Sequence, residues 1–148
     1  LEELVKPFLI DENIHYTDMM TPIADKEEIH NKNVVKVVLS ISGNALYYSR
    51  VAIPFLLRAS ASDNIYFKQL GINAYRKKSL IEFSRLKRTP MELIESIDML
   101  RLLENDFDIR MVSTTSHTIG VDTIEDLERV NDLMIKDTIF PKYLESSK

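Results

Sequence analysis

The stretch that decides the fold is VVKVVLSISGNALYYSRVAIPF, Val34–Phe55. Val34 to Leu39 is β-branched and apolar, interrupted by Lys36. Ser42-Gly43-Asn44 is a turn signal, and Ala45 to Arg50 resumes a strand pattern. Two such runs around a short Gly-containing turn predict a β-hairpin. Downstream, LLRASASDN reads as a loop and YFKQLGINAYR as a strand. KKSLIEFSRLK reads as a helix with Leu80, Ile81, Phe83 and Leu86 available for burial. Thr89-Pro90-Met91-Glu92 is a helix start: Thr89 caps, Pro90 takes the first helical position and Glu92 closes a capping box. That helix is expected to run to about Glu104, position ~104 being a boundary estimate. FDIRMVST is a strand, and Thr123 caps a last helix with Asp126 in a capping-box role. Upstream, Val5 to Asn13 reads as a helical turn or two, IHYTDMMTPI as a strand, and DKEEIHNKN as a short helix or loop. Strands alternating with helices predict a layered α/β fold in a single domain over residues 1–148.

Composition narrows the function. The chain is 45% apolar and 28% charged, an ordinary globular balance. No apolar run is long enough to span a bilayer, which points to a cytoplasmic protein. Zero cysteines remove disulfides, zinc-thiolate sites and cysteine nucleophiles together. The net charge of −4 argues against a nucleic-acid partner. RKKSLIEFSRLKR carries six cations and one glutamate but no interleaved bases-stacking aromatics, so it reads as a solvated helix face. His15, His30 and His117 are not spaced for a shared metal. The chain begins at Leu1, not Met, and reads as a fragment or a chain lacking earlier residues.

Four places hold candidate chemistry. In YFKQLGINAYR, alternation puts Leu70, Ile72 and Ala74 on a core face, with Phe67, Gln69, Gly71, Asn73 and Tyr75 on the other, which is polar in its middle. A glycine between two amides suits either a ligand cleft or the wet face of an edge strand. In the helix from Pro90, Leu93, Ile97 and Leu100 form a stripe with Ile94 on its flank, and Arg101 falls within the same arc. Asp98 and Glu104 stand three residues from Arg101 as partners; a structural Asp98–Arg101 pair is the simpler reading, a cleft-facing Asp98 the functional one. Arg50 ends its strand and could be a solvated arginine or a carboxylate-binding fork. Asp122 sits between a strand and the last helix, where it could hold Mg²⁺ or serve the helix dipole.

NVVKVVL, NALYYSRVAIPF, LGINAYR, TPMELIESIDMLRLLEN and GVDTIEDLERV, in this order, resemble the C-terminal half of the 3-deoxy-manno-octulosonate cytidylyltransferases, the CMP-Kdo synthetases. The resemblance implies a Rossmann-like, three-layer nucleotidyltransferase fold and a homodimer. It implies that CTP and an acidic 3-deoxy-octulosonate give a CMP-sugar and pyrophosphate for lipopolysaccharide synthesis, with Mg²⁺ and no covalent enzyme intermediate. Residue by residue, it implies that Asp122 is a catalytic Mg²⁺ ligand and that Arg50 contacts the acidic sugar. Asp98 matches a glutamate that holds sugar hydroxyls, Gln69 stands where many members have His, and Asn73 where they have Tyr. Met99 replaces a glutamine. These departures lie at sugar-contacting positions, which suggests a different sugar tail, such as that of 8-amino-3,8-dideoxy-manno-octulosonate. The family's N-terminal phosphate loop and cytosine site are expected to be missing. The fold is then incomplete, the chain being the sugar-binding and dimerising part, unable to bind CTP and inactive alone. The other readings are a non-catalytic binding or dimerisation module, and a cytidylyltransferase for a sialic-acid-like sugar.

Overall fold

The computed structural model describes residues 1–57, 66–115, 121, 123–137 and 140. It falls into two compact units, Leu1–Ser116 and His117–Lys148. The first holds a five-stranded sheet. In chain order its strands are β1 (Tyr16–Pro22), β2 (Lys36–Leu39), β3 (Ala45–Ser49), β4 (Phe67–Tyr75) and β5 (Arg110–Ser113). Across the sheet they run β3-β2-β4-β1-β5. Only β1 and β5 pair in parallel; the other three pairings are antiparallel. This part of the fold is therefore a mixed sheet, where a Rossmann-like fold leads one to expect parallel strands.

The hairpin forms where expected. Gly43 has φ +82°, its N–H donates to Ser40 O at 3.0 Å, and β2 and β3 pair antiparallel on either side, with a register shift between Val38 and Leu39. Lys36, which interrupts the apolar run, is fully buried, and its Nζ donates to the carbonyls of Asn31, Val34 and Arg50. Burial, then the neighbouring Arg50 charge, pulls its pKa down. Three carbonyl acceptors offset the cost of burying the ammonium.

Helices cover both faces. On one, Thr17 Oγ1 donates to Leu4 O of α1 (Glu2–Ile10) at 2.9 Å. On the other, Tyr16, Met20, Val37, Tyr48 and Met111 form the core with Met99, Leu100 and Leu102 of α5 (Met99–Leu103). The remaining helices of this unit are α2 (Lys26–His30), α3 (Lys77–Arg85) and α4 (Pro90–Glu95), and α6 (Ile124–Ile135) belongs to the second unit.

Three expectations change. The helix from Pro90 begins as read: Pro90 is at its start and Glu92 reaches back to the Thr89 N–H at 3.4 Å. It does not run on to Glu104. Ser96 takes a left-handed conformation, φ 54° and ψ 49°, and the chain restarts as α5. The break turns Ile97, Met99, Leu100 and Leu102 into the core and leaves Leu93 and Ile94 exposed. Arg101 is consequently not paired with Asp98. Its Nε and Nη2 donate to the Glu92 carboxylate at 2.7 and 2.5 Å, and its guanidinium lies 4.5 Å from the Phe83 ring centre. Glu104 instead accepts the Met91 N–H at 3.1 Å, capping α4 from outside.

The face of β4 that carries Gln69 and Asn73 is not the wet face of an edge strand: apart from Gly71, every residue of the strand is half-buried. Phe67 and Tyr75 pack against the core, so Gln69 and Asn73 lie between them on the helix-covered side. β4 is the central strand, not an edge. Gly71 sits at a bulge with φ +68°, and a Cβ there would meet nothing within 4 Å. The left-handed conformation by itself calls for glycine here. Gly71→Ala is expected to cost about 1–2 kcal/mol, the left-handed penalty for an L-residue; urea denaturation checks this, and an unchanged midpoint would contradict it.

Candidate functional site

The polar inset of the core is built on β1 and β4. Asp18 of β1 is directly opposed to Asn73 of β4 and, past the bulge, Met20 is opposed to Gln69. Asp18 is wholly buried. Its Oδ2 accepts from the Tyr48 hydroxyl at 2.8 Å and from Gln69 Nε2 at 2.9 Å. Tyr48 also lies 3.1 Å from Met111 Sδ. Burial pushes the Asp18 carboxyl up to about 7, against the opposing pull of its hydrogen bonds, and the Asp98 charge pushes the same way. Tyr48 is raised well above its ordinary value, first by burial and then by Asp18. Tyr75 is pushed up to about 12 by burial, Asp98 and Asp18. A low-dielectric, oxygen-rich inset of this kind selects hydrogen-bond donors and resists added negative charge.

Two of the sequence-derived candidates, Gln69 and Asn73, are thus brought together. Asp98, exposed at the start of α5, acts on the same group through its charge and lines a cavity of about 340 Å³ with Arg88, Glu92, Leu93, Ser96 and Ile97. Arg50 stands on the other side of the α4–α5 break. Its Nε donates to Glu95 O at 2.6 Å, Nη1 to Lys32 O at 3.0 Å and Nη2 to Ser96 O at 3.1 Å. The Glu95 carboxylate returns the contact, accepting from Ser49 Oγ at 2.7 Å and from the Arg50 N–H at 3.0 Å. Arg50 is therefore neither a freely solvated arginine nor an open fork. Two of its donors tie the end of β3 to the break and a third holds Lys32 O, which leaves one N–H on each terminal nitrogen for an anion. Asp122 lies outside the described residues. A larger cavity of about 620 Å³ is lined by His15, Tyr16, Arg76 and the start of α3, away from these groups.

Asp18 is the residue that sequence reasoning passed over. Its signal was a lone carboxylate in the middle of an otherwise apolar and β-branched segment, IHYTDMMTPI. Among the described residues, no cluster of three His, Cys, Asp or Glu side chains converges. The one buried carboxylate of the inset is held by Tyr48 and Gln69 and pushed toward its neutral form.

The fold is a mixed α/β domain of the nucleotidyltransferase type. A solved structure, CMP:2-keto-3-deoxy-manno-octonic acid synthetase complexed with CTP, superposes with a TM-score of 0.83 and 32% identity, over 91% of this chain and 55% of that one. The cytidylyltransferase family model matches residues 5–133. The chain belongs to the cytidylyltransferase family. Among curated relatives, the 3-deoxy-manno-octulosonate cytidylyltransferase of Lawsonia intracellularis is 42% identical, over 90% of this chain and 52% of its own length. The enzyme of that description from Fusobacterium nucleatum is 38% identical, over 94% of this chain and 56% of its own. The chain spans about half the length of the curated relatives it matches. These findings correct one expectation. Because the family model covers nearly the whole chain, the nucleotide-binding part is not missing from the fold. The inference that the chain lacks a CTP site rested on that absence and falls with it.

No helix among the described residues is long and apolar enough to cross a membrane.

Proposed function

We propose that the protein is a cytidylyltransferase that activates an acidic 3-deoxy-octulosonate-type sugar with CTP, in the cytoplasm, for lipopolysaccharide synthesis. The observation that carries this reading is the likeness to a CTP-complexed synthetase over 91% of the chain. The reaction is a displacement at phosphorus. The sugar's anomeric hydroxyl attacks the α-phosphate of CTP, a new P–O bond forms, the bond to the β-phosphate breaks, and pyrophosphate leaves with its electron pair. The hydroxyl proton passes to solvent or to a nearby base. Chemistry of this kind depends on positioning and charge neutralisation more than on covalent help from the protein.

Within this reading, Arg50 supplies its two remaining N–H groups to the sugar carboxylate. Gln69 and Asn73 meet the sugar's hydroxyl-bearing tail, and Asp98 holds a hydroxyl from the cavity beside it. Asp122 is a proposed ligand of Mg²⁺, which when bound would offset phosphate charge. A homodimer fits the exposed apolar side chains Leu46, Val51, Phe55 and Leu57 on and beyond edge strand β3. The sugar tail is proposed to be that of 8-amino-3,8-dideoxy-manno-octulosonate. Its support is the set of amides at 69 and 73 around a buried acid, an arrangement that favours a donor group.

Pyrophosphate release from CTP, read as phosphate after pyrophosphatase, tests the reaction with the two sugars side by side. Release with both, and a higher kcat/KM for the amino sugar, is expected. Preference for the ordinary sugar would remove the amino-sugar assignment alone, and release with neither would remove the enzyme reading.

A further inference from the structure

The polar inset contains two buried acceptors and no hydrogen to place between them. Asp18 Oδ2 is satisfied twice, but Asp18 Oδ1 and Asn73 Oδ1 are both buried without a partner. The two residues are directly opposed across β1 and β4 and lie on one face of the sheet, so their side chains are neighbours. A buried, unpaired oxygen is costly, and two adjacent ones raise the cost through lone-pair repulsion. One hydrogen would satisfy both.

We propose that Asp18 is a neutral carboxylic acid whose Oδ1–H is donated to Asn73 Oδ1, and that this acid is a positioning residue for Gln69 and Asn73. The groups facing it are consistent. Tyr48 approaches from β3, Tyr75 and the two amides from β4, Met111 from β5, and Asp98 from the start of α5. None is cationic: the hydrogen bonds from Tyr48, Gln69 and the Met19 backbone pull toward the carboxylate, burial outweighs them, and Asp98 opposes ionisation. The burial that pushes its carboxyl up to about 7 acts in the same direction. The acid also settles the amides. Gln69 Nε2 is committed to Asp18 Oδ2, which leaves Oε1 and the second N–H for a ligand. Asn73 is held through Oδ1, with its NH₂ toward the Tyr75 hydroxyl. The positioning consequence rests on the proposal that Gln69 and Asn73 touch the sugar; the protonation does not.

The carboxyl ¹³C signal of Asp18, titrated in the wild-type protein, reads the protonation directly. A midpoint near 7 is expected, and a midpoint near the ordinary carboxyl value of 3.8 would overturn the proposal. Asp18→Asn gives a second reading, because asparagine keeps a hydrogen at this position whatever the pH. The folded value is raised, so wild-type stability from this group is full below about pH 4 and is lost as pH rises to about 7. The melting temperature of Asp18→Asn minus that of wild type should therefore rise by several degrees over that interval and then level off. A difference that does not change with pH would show an ionised Asp18 and a reversed Asn73 amide. If the enzyme reading holds, the wild-type KM for the sugar should rise above pH 7 while that of Asp18→Asn does not. The titration and melting curves need no turnover, so an inactive protein with the expected titration would defeat the enzyme reading and leave this one standing.

Discussion

Glu92→Leu is expected to lower stability by about 3 kcal/mol, which would make it one of the most damaging single changes in this chain. The side chains of Arg101 and Glu92 are only 14% and 6% exposed, and two hydrogen bonds join them. Removing the carboxylate leaves the guanidinium under cover, with the Phe83 ring against it and the Asp98 charge nearby but no carboxylate hydrogen-bonded to it. It also removes the acceptor for the Thr89 N–H at the start of α4. The lower end of the usual range for a broken buried pair applies, because Arg88 and water reach the edge of this one. The double variant Glu92→Leu/Arg101→Met should recover most of the loss, since no charge is then stranded. Urea denaturation of the two variants separates these outcomes, and a double variant no better than the single would contradict the ion-pair account. The pH dependence has the opposite sign to that of Asp18. The hydrogen bond from Arg101 holds Glu92 below its ordinary 4.5, so its stabilisation is present above that value and is lost as acid protonates it in the folded state.

Asp122→Asn is the second large effect. It is expected to reduce kcat by more than about a hundred-fold while leaving the melting temperature within about a degree. Losing a partner of a metal ligand typically costs about 10–100-fold, and a direct ligand should cost no less. The change keeps shape and removes charge, which separates metal binding from packing. The helix-dipole alternative predicts only a small loss of stability, of the order of 0.3–1 kcal/mol, and unaltered turnover. Steady-state kinetics across a Mg²⁺ series, with thermal melts of both proteins, distinguishes the two. Unchanged turnover at every Mg²⁺ concentration would end the metal assignment.

Much of the fold was legible because its signals are local. The Gly43 turn, the β-branched runs around it and the Thr89-Pro90-Glu92 start each specify their own element, and each forms as read. The errors share a different cause. The helix to Glu104 followed from unbroken periodicity, but the left-handed Ser96 is favoured by what it achieves in three dimensions: it buries Met99 and Leu102 and frees carbonyls for Arg50. Once the helix breaks, spacing along it no longer identifies the partner of Arg101, and Glu92 takes that role. The edge-strand reading of β4 failed because Gln69 and Asn73 look like surface residues. Their half-burial depends on a carboxyl 51 residues from Gln69 in sequence, itself held by a hydroxyl on a third strand. The candidate site was therefore half visible: its amides stood out, and the acid that holds them did not.

The proposed reaction makes a cytidylyl–sugar bond. ³¹P NMR of the protein with CTP, Mg²⁺ and a 3-deoxy-octulosonate sugar observes that bond as it is made. Loss of the three CTP resonances, with matched growth of one phosphodiester signal and pyrophosphate, is the result expected. CTP that remains intact with either sugar, or that yields pyrophosphate and free CMP without a sugar phosphodiester, would contradict the proposal.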